Sequence, residues 1–267
     1  MKKVLLTLVS VLFVASSASA MPIMLNPDAI FGAGTYGTTG VFDQLGILSQ
    51  TTSTDYGTGA FSDVGNVKVT SLIDIDASAW AGMNSSWFLA GGWTDVTGVL
   101  VAPGVYSYQS GTLNLYALSA NPNFNTVQLG ADDDTGFVGT NANRVATLSL
   151  VSGSGFLVPN PYQAGDFLGS TDITWEFTWA ANGFWLDGNG DPISLADLNA
   201  GEKLMAFSDM NVDKVFFGID GKGNTLIYSD HNGSVEIGVV PEPATMVLFG
   251  TGLFGLAGAG LRKKFAA

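Results

Sequence analysis

Asp172-Ile173-Thr174-Trp175-Glu176-Phe177-Thr178-Trp179-Ala180 sets Ile173, Trp175, Phe177 and Trp179 at alternate positions, with Thr174, Glu176 and Thr178 between them. Successive side chains of a strand point to opposite sides, so this pattern is a strand with one buried face and one wet face. The same period recurs on either side of it. Thr112-Leu113-Asn114-Leu115-Tyr116-Ala117-Leu118 alternates without a break, residues 66–76 alternate for much of their length, and residues 144–151 are anchored by Val145, Leu148 and Leu150. Further on, 214–220 and 225–229 read as a hairpin around Gly221-Lys222-Gly223-Asn224, and 234–239 as a last strand.

Glycine beside Asn, Asp, Ser or Thr punctuates these runs with turn chemistry. Many short half-buried strands separated by turns predict a mostly β fold, a two-sheet sandwich of jelly-roll type. Only residues 193–205 look helical, with Ser194 as N-cap and Asp197 in the first turn. Residues 35–59, rich in Gly and Thr, read as loop with weak strands.

The body is long enough to bury one sizeable core. The 267-residue chain has no cysteine, 23 acidic against 10 basic residues and a formal charge of −13. This excludes a disulfide framework and thiol chemistry. Between residues 21 and 240 the basic residues are Lys68, Arg144, Lys203, Lys214 and Lys222 alone, so the surface repels nucleic acid and attracts divalent cations.

Both ends of the chain are apolar. Met1-Lys2-Lys3, an apolar stretch over 4–14 and Ala18-Ser19-Ala20 form a secretory signal peptide, with cleavage expected after Ala20 and a mature start at Met21. At the other end Pro241-Glu242-Pro243 precedes an uncharged run over 244–261 and then Arg262-Lys263-Lys264. Eighteen residues at 1.5 Å each are just long enough to cross the roughly 30 Å hydrocarbon core as one transmembrane helix. The basic cluster stays cytoplasmic and leaves the body on the outer side of the inner membrane. The two prolines lack N–H donors and favour polyproline II. That keeps the segment out of strands and helices and open to an enzyme at the membrane surface.

This tripartite tail resembles the PEP-CTERM sorting signal: a Pro-Glu-Pro motif, a glycine-rich hydrophobic helix (here Gly250, Gly252, Gly255, Gly258 and Gly260) and a short basic end. The resemblance implies recognition by exosortase, a membrane-embedded processing enzyme of Gram-negative bacteria that make extracellular polysaccharide. It further implies removal of the helix near Pro241, Glu242 and Pro243, and transfer to the cell surface or matrix. The chain then divides into a signal peptide (1–20), a β-sandwich body (21–239) and a sorting segment (240–264).

Within the body, Asp187-Gly188-Asn189-Gly190-Asp191-Pro192 starts like an EF-hand or dockerin loop, which holds calcium through oxygens at alternate positions. Calcium would be held by Asp187, Asn189, Asp191 and Asp197. However, Pro192 stands where the sharp-turn glycine belongs, and Asp197 comes one residue early. The same residues also suit a turn leading into a helix capped by Ser194. Asp132-Asp133-Asp134 is a hydrated loop rim unless a cation bridges it. His231, the single histidine, falls in the turn-like Asp230-His231-Asn232-Gly233, and no G-x-S-x-G elbow accompanies it. Glu176 is the best acid for a glycoside hydrolase, but no partner carboxylate can be assigned to it. Trp80, Trp87, Trp93, Tyr106, Tyr108 and Trp185 are candidates for a sugar-stacking face, although each one taken singly is more in keeping with a core aromatic of a large β domain.

The resulting expectation is an exported, non-enzymatic surface protein, structural or adhesive in an exopolysaccharide matrix, biofilm or floc. Its partners are the secretion machinery, exosortase, the inner membrane and extracellular polysaccharide. A lectin-like sugar or calcium binder and a secreted glycoside hydrolase are the alternatives.

Overall fold

The structure, a computed structural model, describes residues 21–73, 75, 77–119, 144–161, 167–196, 198 and 202–241. The signal peptide with Ala18 and Ala20, the Asp132–Asp134 cluster, Asp197, Glu242, Pro243, the apolar run 244–261 and Arg262, Lys263 and Lys264 lie outside the described residues. Among the described residues no helix is long and apolar enough to cross a membrane.

The elements follow in the order β1 (Ile23–Leu25), α1 (Asp28–Phe31), β2 (Gln44–Asp55), β3 (Ala60–Ile73), β4 (Phe88–Ala102), β5 (Val105–Ser110), β6 (Thr112–Leu118), β7 (Arg144–Pro159), β8 (Phe167–Ala180), β9 (Trp185–Asp187), β10 (Glu202–Ile219) and β11 (Thr225–Pro241). The protein is thus mostly β, and all its strand ladders are antiparallel.

Each long strand pairs with its neighbours in the chain. β2 pairs with β3, β3 with β4, β4 with both β5 and β6, these two with β7, then β7 with β8, β8 with β10, β10 with β11, and β11 back to β2. β5 and β6 act as one wall strand interrupted at Gly111, so the ladder closes into an eight-membered up-and-down ring. Closure removes most free edges, and a ring of eight is about wide enough for side chains to fill. The two-walled core of a sandwich is present as opposite walls of this ring. The strand order, however, is sequential and not the crossed order of a jelly roll.

Strands this long must bend to close, and bulges supply the bends, for example at Thr70 of β3, opposite Gly46 and Ile47, and at the register shift between Asp63 and Gly65 of β3. Gly65 has a second reason to be glycine, because the Trp93 ring lies where its Cβ would be, 2.5 Å from that position. The inner face carries Leu45, Ile47, Val67, Val69, Leu113, Leu115, Leu148, Ile173, Trp175 and Phe177. The outer face carries Gln50, Asp172, Glu176, Asp209, Asn211, Asp230 and Glu236, together with exposed apolar residues such as Leu48 and Phe216.

One end of the ring is capped. β1 pairs with β9, and Met21 N–H donates to the carbonyl of Ile237 at 2.9 Å. Trp87, Phe184 and Trp185 stack edge to face there and belong to the same core as the inner wall. Trp185 Nε1 donates to the carbonyl of Val145 at 2.8 Å, which satisfies the indole inside the core.

Several expectations are corrected. The helix expected over 193–205 is not found among the described residues of that range: 193–196 and 198 are irregular chain, turn and bend, and 202–205 open β10, because Leu204, Ala206, Ser208 and Met210 alternate inward and neighbouring strands take up the backbone bonds. Residues 44–55, within the stretch expected as loop with weak strands, form β2, a long strand paired on both sides. Residues 230–233 are no turn, since β11 runs through them as a single strand paired on both sides. Pro241 does join a strand. It is the last residue of β11, opposite Glu202, a strand end where its missing N–H interrupts nothing.

Candidate functional site: a polar band inside the barrel

β11, β2 and β3 lie side by side, and their registers place His231 opposite Ser49, Ser229 opposite Thr51, and Ser53 opposite Asp63. Because inward positions alternate along each strand, these six residues form one polar band on the inner wall. Trp93 on β4, opposite Gly65, extends it.

Two sets of bonds organise the band. Ser229 Oγ lies 2.8 Å from His231 Nε2 and 2.8 Å from Thr51 Oγ1, and Thr51 Oγ1 lies 3.3 Å from the same ring nitrogen. Asp63 accepts from Ser53 Oγ and from Trp93 Nε1, both at 2.7 Å. Burial pushes the Asp63 carboxyl up to about 6, and those two donors offset the shift only in part. Tyr108 is held neutral far above its ordinary range, first by burial and then by the neighbouring charge of Asp63, with a Thr171 hydrogen bond acting the other way. Phe61 meets Tyr106 and Tyr108 edge to face at 5.5 and 5.3 Å, which fills the barrel on the side of Asp63 away from the cap.

Between this band and the cap lies an apolar cavity of about 60 Å³, bordered by Ile47, Val67, Leu148, Trp175 and Met210 among others. Ser49 and Ser208 are the hydroxyls on its wall. Ser208 Oγ donates to the carbonyl of Ile173 at 3.0 Å, whereas Ser49 Oγ, 1% exposed, has no hydrogen-bond partner. Dry apolar cavities that bind a benzene-sized guest are about 150 Å³. This lumen is therefore too small for a sugar ring in its present shape.

The Ser229–His231 pair is within nucleophile–base reach. However, acyl transfer also needs preorganised N–H donors for the oxyanion, and the wall N–H groups around this pair are spent on ladders with β10 and β2. The band is a set of hydrogen-bonded side chains inside the barrel with one carboxyl that burial raises to about 6.

The residues singled out in the sequence are scattered. Asp187 Oδ1 accepts from the N–H groups of Asn189 and Asp191, both at 2.9 Å, and Oδ2 accepts from Asn189 Nδ2 at 3.2 Å. These bonds, the Asp191 N–H foremost, hold its carboxyl below the usual range. The described part of the loop is thus an Asx turn, Asp197 lies outside it, and among the described residues no three His, Cys, Asp or Glu converge on a metal site. Asp28 and Asp220 tie their own turns in the same way.

Glu176 faces outward and pairs with Lys203 at 3.0 Å. Trp87, Trp93 and Trp185 are core residues, Trp80 and Tyr108 pack against that core half-buried, and Tyr106 is half-buried against Phe61, so no sugar-stacking face is assembled from them. His231, expected in a surface turn, is 6% exposed inside the barrel. The band itself escaped sequence reading, although Ser49, Thr51 and Ser53 continue the alternation of Leu45 and Ile47 and Asp63 alternates with Phe61.

A family model described as the PEP-CTERM protein-sorting motif matches residues 239–264. No curated protein and no solved structure matches the chain.

Proposed function

We propose, starting from a chain that carries a PEP-CTERM sorting signal, that its barrel is a structural or adhesive component of the extracellular polysaccharide matrix. The signal itself implies export, handling by exosortase at the membrane and then a surface or extracellular location. The matrix role is our reading. The observation that carries it is the abutment of the two parts in sequence: the match begins at Val239, inside β11, whose last residue is Pro241. Before processing, the capped end of the barrel therefore sits against the membrane. After processing, what remains is a rigid cylinder with an acidic wall.

The absence of an oxyanion site at Ser229–His231 and the outward pairing of Glu176 favour a non-enzymatic role over a hydrolase. The burial of Trp87, Trp93 and Trp185 favours a matrix component over a lectin that stacks sugars on those rings. The test is co-sedimentation of the exported protein with the polysaccharide of the producing cells. Retention in the polysaccharide pellet, weakened by salt or by removal of divalent cations, is the expected result. Protein that remains wholly in the supernatant at every salt concentration would remove the matrix role and leave only the sorting.

A further inference from the structure

Among the described residues the ring is not paired along its whole height. The β10–β8 ladder ends at Asn211 opposite Ser170, while the β10–β11 ladder continues to Ile219 opposite Thr225. From Val212 onward, therefore, one edge of β10 faces no strand among the described residues. An edge of this kind presents backbone donors and acceptors to any strand that can align with it. Folded proteins usually blunt such edges with charge, proline or cover. Here the edge reads Val215-Phe216-Phe217-Gly218-Ile219, with no charge and no proline. Phe216 is 61% exposed, Phe217 50% and Ile219 76%, although Phe217 rests on Phe167 at 5.0 Å. The segment combines high strand propensity, high hydrophobicity and no charge, the composition that pairs edge to edge.

The flanking charges identify the partner. Lys214 precedes the apolar segment and Asp220 follows it. In an antiparallel two-fold pairing centred on Phe217, Lys214 of each copy stands opposite the second copy's Asp220. Parallel pairing in register would instead set Lys214 against Lys214. Asp220 accepts bonds from the N–H groups of Lys222 and Asn224 and from Asn224 Nδ2, three of the four or so its carboxylate can take, so it can still receive a lysine. The segment is self-complementary in the one orientation a two-fold axis allows.

We propose that residues 214–220 are a self-docking edge, through which a second copy of this chain adds its β10 antiparallel to this one and joins two barrels into one continuous sheet. Lys214 and Asp220 set the register, while the phenylalanines and Ile219 supply the buried surface. The joint lies at the uncapped end, remote from Pro241, and so stays available whether or not the C-terminal segment has been removed. The proposal does not depend on the matrix reading.

Sedimentation velocity of the exported protein over a range of concentrations tests it. The wild type should shift reversibly from monomer to dimer. Phe217→Lys, which puts like charges together on the axis, should weaken association by about a hundredfold or more. Lys214→Glu and Asp220→Lys should each weaken it by about tenfold, with the melting temperature confirming that each variant is folded. Mixed together, the two charge variants should associate again, because each then meets its complement. Three results would overturn the proposal: a wild type that stays monomeric throughout, including one that binds lipid vesicles through Phe217; a folded Phe217→Lys protein that dimerises like the wild type; or charge variants that fail to recover on mixing.

Discussion

Asp63 shows how a single inward position can be costly and still be kept. It is 3% exposed, and its carboxyl is raised from 3.8 to about 6 by burial. A folded-state value above the unfolded one means that the native state holds its proton more tightly, so this residue favours folding as pH falls from 6 towards 4 and opposes it above 6. The gap corresponds to about 3 kcal/mol at pH 8, an order of magnitude only. Asp63→Asn keeps an acceptor for Trp93 Nε1 and can donate to Ser53 Oγ, so it should stabilise the protein by about 1–3 kcal/mol at pH 8 and by almost nothing at pH 4. Urea unfolding at the two pH values measures this. An Asn variant less stable than the wild type at pH 8 would show that the ionised carboxylate is supported by more than its two donors.

At the scale of elements, β11 is the informative strand. Gly233 looks like turn punctuation in the sequence, yet it is glycine because the β10 backbone runs where its side chain would be, with Met210 Cα 2.7 Å from the Cβ position. Gly233→Ala should therefore cost about 2–4 kcal/mol, far more than the same change at a surface turn. Thermal melts separate the two cases, and a loss below about 0.5 kcal/mol would restore the turn reading.

The strands over 112–118 and 172–180 were legible because their inward residues are apolar, although Trp179, expected inward with Ile173, Trp175 and Phe177, lies beyond a register shift and is exposed. β2 was not, since Ser49, Thr51 and Ser53 take inward positions, and only partners on β11 and β3 make the Thr51 and Ser53 hydroxyls acceptable inside. The same cause hid the polar band. A residue type does not reveal burial when its hydrogen bonds come from strands 180 residues away, as Thr51 and His231 show. Residues 202–205 failed for a related reason, because short-range helical spacing gave way to a ladder with β11, joined from Met205 onward by the ladder with β8.

For the whole molecule, the antiparallel two-faced core was readable from strand periodicity, but ring closure was not, because it rests on the single non-local junction between β11 and β2 together with continuous pairing elsewhere. The sorting segment was legible because its three parts are contiguous and need no tertiary context. Joining the two observations yields the central claim: a finished barrel is held at the membrane by a tail that begins within its last strand, and is then released outward. The direct measurement is the intact mass and location of the protein in cells with and without active exosortase. The account predicts a surface or extracellular polypeptide that begins at Met21 and ends near Pro241–Pro243, and a longer form retained in the inner membrane when exosortase is inactive. Full-length chain found free outside the membrane, with residues 244–267 still attached in either strain, would contradict it.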